Sequence, residues 1–75
     1  MKIATVNVIE YADDSVIGVT SFANDEAGNK EAEDFFTAVI KENGAEDATD
    51  DEIDSYLKDS YFEQGSYQCF LVIST

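Results

Sequence analysis

The chain has 75 residues, with one cysteine, no histidine and no arginine, and it sets 17 Asp and Glu against four lysines for a net charge of −13. That length makes one domain whose buried core is small. The composition excludes an internal disulfide, a cysteine- or histidine-based metal site, and histidine general-base chemistry.

The opening residues 2–11 (KIATVNVIEY) are rich in β-branched side chains and alternate in polarity. They predict a strand with Ala4, Val6 and Val8 on one face and Ile3, Thr5, Asn7 and Ile9 on the other. No apolar signal-peptide core or small-residue cleavage site opens the chain. No stretch reaches the roughly 18 apolar residues of a membrane span. The expected compartment is the reducing cytoplasm.

Ala12-Asp13-Asp14-Ser15 is a polar turn, and Val16–Phe22 is a second β-branched run, so the two runs predict an antiparallel hairpin. Asn24-Asp25-Glu26 offers a helix cap with acids in the first turn, and Asn29 competes for that role because Gly28 weakens an early start. From Glu31 the period is helical. Ala32, Phe35, Phe36, Val39 and Ile40 share one face, and Asn43-Gly44 ends the helix.

Thr49-Asp50-Asp51-Glu52 matches the S/T-x-x-E capping box and opens a second helix with Ile53, Tyr56 and Leu57 as its apolar stripe. Its end is open between two positions. One runs to Glu63 with a stop at Gly65; the other stops near Asp59 and leaves a short extra strand near 60–63. The final segment, Tyr67–Thr75, contains the apolar run Cys69-Phe70-Leu71-Val72-Ile73, which predicts a strand buried on both faces. The expected fold is α+β: a small, antiparallel-rich, three-stranded sheet with two helices on one face, in the order β-β-α-α-β.

The candidates for chemistry are few. Cys69 lies in an apolar run with no base beside it, which predicts a packing role rather than a nucleophile. The adjacent pairs Asp13-Asp14 and Asp50-Asp51 do not converge on one point, as paired catalytic carboxylates must. No segment matches the EF-hand calcium loop. Neither a cofactor nor a dedicated metal site is expected, and the chain is read as a binding protein rather than an enzyme. Tyr56, Tyr61, Phe62 and Tyr67 cluster late in the chain among acids, which repel phosphate, so direct nucleic-acid binding is not expected. Those aromatics divide between core packing and apolar anchoring beside a charged face.

Charge is distributed unevenly. Residues 25–63 hold fourteen acids and three lysines, whereas residues 64–75 hold no charged side chain. The candidate partner-binding residues are Glu46, Asp47, Asp50, Asp51, Glu52, Asp54 and Asp59, with Tyr56 and Tyr61 as anchors. On the second helix, five carboxylates over ten residues give one charge per about 3 Å of axis. One strand of B-DNA carries a charge every 3.4 Å or so. A net charge of −13 exceeds the magnitude of about 2–8 that solubility asks of a small domain.

In size, charge and lack of catalytic residues, and in the acidic stretch Glu42–Glu63, the chain resembles phage-encoded nucleic-acid mimics, among them acidic anti-CRISPR proteins and inhibitors of restriction or repair. Such proteins share no common fold, so no functional residue is carried over. The resemblance implies an inhibitor that acts in the host cytoplasm and occupies a basic protein surface that normally holds DNA or RNA. The near-neutral ends depart from the pattern and leave only one side of the molecule mimic-like. Two other readings compete. One is an accessory protein docking through exposed tyrosines and a sheet edge; the other is a halophile domain with a salt-solvated surface. Oligomeric state is not legible in the sequence.

Overall fold

A computed structural model describes residues 4–74, so the expected strand residues Lys2 and Ile3, and Thr75 at the other end, lie outside the described residues. Strand β1 (Thr5–Ala12) turns directly into β2 (Ser15–Ala23). The turn residues Asp13 and Asp14 have φ of 53° and 65°. Two consecutive positive φ values define the turn type whose twist matches that of the flanking strands, and aspartate tolerates that conformation better than most residues.

Helix α1 (Glu26–Ile40) is capped by Asp25, whose carboxylate accepts from the Gly28 amide at 2.7 Å. The competing cap, Asn29, lies inside the helix. Gly28 does not delay the start. A Cβ at this position would lie 1.8 Å from the Ala23 carbonyl oxygen, so glycine lets the first turn press onto the end of β2. A widened turn over Lys41–Ala45 closes α1. There Gly44 has φ of 133°, and Asn43 donates to the Val39 carbonyl at 2.7 Å.

Helix α2 (Asp50–Asp59) is followed by β3 (Tyr61–Gln64), a turn at Gly65-Ser66, and β4 (Tyr67–Ser74). The sheet is antiparallel and four-stranded, ordered β2-β1-β4-β3. This corrects the three-stranded expectation: the element order is β-β-α-α-β-β. The reason lies at Ser60, which takes a left-handed conformation at φ 58° and ends α2. Its sequence gives no glycine or asparagine stop signal. Tyr61–Gln64 then pairs along its full length with Tyr67–Phe70.

Both helices cover the same face of the sheet. Val6, Val8, Phe62, Tyr67 and Cys69 from the strands meet Ala32, Phe36, Ile40, Ala45 and Ile53 from the helical layer, and all are buried. Side chains alternate across a strand, so Ile9, Tyr11, Val19, Phe70, Val72 and Tyr61 point to the other face, where no described element packs. This corrects the expectation that β4 is buried on both faces: Cys69 is fully enclosed, but Val72 is 41% and Ile73 60% exposed. No helix among the described residues is long and apolar enough to cross a membrane.

Candidate functional site: an acidic helical layer

The capping box opens α2 as a rigid unit. Thr49 Oγ1 accepts from the Glu52 amide at 3.2 Å, and Glu52 Oε1 accepts from the Thr49 amide at 3.1 Å. Acids at the first turn also suit the positive end of the helix dipole. Ile53 is buried and Tyr56 and Leu57 are half-buried, which fixes the rotation of the helix about its axis. Asp50, Asp51, Glu52, Asp54 and Asp59 are consequently all exposed. They span about 13 Å of axis, nine steps of roughly 1.5 Å.

Glu46 and Asp47 lie in the link that leads into this helix and are exposed as well. Buried Ala45 pins the link to the core, and the Ala48 amide donates to the Ala45 carbonyl at 3.1 Å. Asp47, Glu52, Tyr56, Phe62 and Gln64 border a shallow, open concavity of about 280 Å³ beside the helix. The seven carboxylates named from the sequence are thus all exposed, within the single stretch from Glu46 to Asp59. Lys58 is the only cation on α2. Among the described residues the one ion pair is Lys30–Asp34, at 3.1 Å on α1.

The two tyrosine anchors are placed differently. Tyr56 meets the ring of Phe62 edge-on at 5.0 Å, and so belongs to the rim of the core beneath the acids. Tyr61 lies on the uncovered side of the sheet, tilted against Phe70 at 4.9 Å; Phe70 in turn meets Tyr11 at 5.5 Å. The sheet therefore separates Tyr61 from the acidic surface. Across the four strands the only charged side chains are Glu10 and Glu63. The molecule has an acidic helical side and a nearly neutral sheet side.

Two groups with shifted titration lie at the end of the sheet. The Tyr67 hydroxyl donates to Glu10 Oε1 at 2.7 Å. Burial, and then that bond to a carboxylate, push the Tyr67 phenol far above its ordinary range. Burial raises the Cys69 thiol to about 11, a thiol that ionises with difficulty and is a poor nucleophile at neutral pH. Among the described residues, no group of three or more acidic, cysteine or histidine side chains is placed to hold a metal ion.

The residues that sequence reasoning missed are those of the uncovered sheet face, Tyr11, Val19, Phe70 and Val72. For Phe70 and Val72 the signal is the unbroken apolar run of β4, which reads equally as a second buried face; Tyr11 and Val19 sit in alternating strands that do not tell a covered face from an uncovered one. Comparison with protein-family models, curated proteins and solved structures found no match.

Proposed function

We propose that this protein is a nucleic-acid mimic, which inhibits a DNA- or RNA-binding protein by occupying its basic surface with the acidic side of the helical layer. The observation that carries this reading is the exposure of all seven carboxylates, Glu46 and Asp47 in the link and Asp50, Asp51, Glu52, Asp54 and Asp59 on a helix with a complete capping box. Such a density of like charge costs stability through self-repulsion, and a basic partner recovers that cost on binding. Carboxylates at a linear charge density along the helix axis close to that of phosphates along a strand compete for the lysines and arginines that track a nucleic-acid backbone. The role is binding rather than catalysis.

The test replaces Asp50, Asp51 and Asp54 together with Asn. This removes three charges at nearly constant size. Association with the partner slows, because steering sets the on-rate, and affinity falls by roughly 1–3 kcal/mol in total. Added DNA or RNA displaces the unmodified protein from its partner. Simultaneous binding of partner and nucleic acid, without interference, would refute mimicry. The accessory-protein reading would then take its place, favoured by the Tyr11, Phe70 and Tyr61 rings gathered on the uncovered sheet face.

A further inference from the structure

Strand β2 forms one outer edge of the sheet: one side pairs with β1, and the other has no strand beside it among the described residues. Edge strands are usually blunted by charge, proline, brevity or a bulge. The opposite edge follows that rule, since β3 has four residues and carries Glu63. β2 has only the bulge. It has nine residues, SVIGVTSFA, with no charged side chain and no proline. Val16, Ile17 and Val19 on it are 53–58% exposed. Its one irregularity is a bulge at Ile17; beyond it, Gly18–Ala23 stays in unbroken register with Thr5–Glu10.

The ends of this strand carry the charge. Asp13 and Asp14 precede it, Asp25 and Glu26 follow it, and all four are exposed. The free edge is thus a neutral, β-branched rod about 30 Å long, nine residues at roughly 3.3 Å each, bracketed by two carboxylates at either end. A second copy is a poor occupant. Antiparallel self-pairing would set Asp13 and Asp14 of one copy against Asp25 and Glu26 of the other at both ends of the interface. Parallel pairing would align like with like.

We infer that the free edge of β2 accepts an extended segment of a basic partner as a fifth strand, with β-branched residues alongside Ser15–Ala23 and Lys or Arg at each end. Main-chain hydrogen bonds supply adhesion, and the flanking charges supply register and selectivity. The inference rests on the reading that the partner is basic, but places the contact on a different face from α2.

The probe is a synthetic peptide of nine alternating Thr and Val residues with two lysines at each end, titrated into the isotope-labelled protein at low salt. Amide shifts and slowed hydrogen exchange are expected on β2. A peptide flanked by glutamates should bind at least tenfold more weakly. The same loss should follow Val16→Lys with Val19→Lys, both solvent-exposed positions, and also Asp13→Asn, Asp14→Asn and Glu26→Gln together, which leave the Asp25 cap intact. The triple Asn variant of α2 should bind the peptide as the unmodified protein does, so this result stands apart from the nucleic-acid competition that judges mimicry. Equal affinity for the two peptides, shifts centred on α2, or concentration-dependent pairing of β2 with a second copy would each overturn the inference.

Discussion

Gly28 and Tyr67 show how far single residues are legible. In the sequence Gly28 reads as a weak helix position, because glycine has the lowest helix propensity after proline. In the structure it is required by a backbone contact with Ala23, a residue five positions earlier that the hairpin's end brings against the helix. Tyr67 reads as part of an aromatic cluster, yet its hydroxyl is committed to Glu10, 57 positions away in the chain. That pairing has a consequence for pH. Tyr67 and Cys69 both have folded-state pKa values raised above the ordinary 10.0 and 9.0, so each favours folding in its protonated form. Their contribution is complete below pH 9 and is lost as pH rises through the folded values. Stability is expected to be flat from pH 7 to 9 and to fall by on the order of 2 kcal/mol by pH 11 from Cys69 alone. Urea titrations at several pH values would measure it. A fall that is equally steep in Cys69→Ala and Tyr67→Phe would assign alkaline loss to other groups.

At the scale of elements, α2 was the most legible and β3 the least. The box Thr49-x-x-Glu52 and the stripe Ile53, Tyr56, Leu57 are local patterns, and local hydrogen bonds and burial realise them. Thr49→Ala is expected to cost about 1 kcal/mol, because the Glu52 amide loses its acceptor and the first turn frays. The change should appear as a lower urea midpoint and as faster exchange of amides 50–53. An unaltered midpoint would show that packing of Ile53 alone holds the start of the helix. Glu52 therefore serves both cap and surface, and its charge cannot be removed without touching the fold. β3 was legible only as one of two alternatives, because its start depends on Ser60 in a left-handed conformation, which few non-glycine residues adopt. The pairing with β4 sustains that geometry, and pairing is a property of two strands, not of one.

The whole molecule is two layers with extents of 40 × 28 × 16 Å, acidic on the helical side. Within a Debye length of about 10 Å at 0.1 M salt, the carboxylates of α2 and its leading link repel one another. Raising salt from about 0.02 M to 0.5 M is expected to raise the thermal midpoint by several degrees, since screening relieves that repulsion. A midpoint that stays level or drops would mean that the folded surface is already neutralised by bound cations. A protein folded only in molar salt would instead support the halophile reading.

The sequence alone determined the α+β class, the hairpin, both helical stripes, the α2 cap and the acidic stretch, because each depends on neighbours within a turn or two of chain. Only the tertiary structure decided which apolar residues lie outside. The run Cys69–Ile73 is equally apolar throughout, and periodicity cannot tell a strand covered on both sides from one covered on one. With both helices on a single face, Cys69 became core while Val72 on the other face stayed exposed; Ile73 shares the face of Cys69 but lies exposed at the end of the strand. Tertiary structure also divided the late tyrosines, sending Tyr56 beneath the acids and Tyr61 to the far side, since the sheet runs between them. And it made β2 an edge, a property set by the pairing of β1 with β4 across more than fifty residues of chain, which no local pattern in Ser15–Ala23 records.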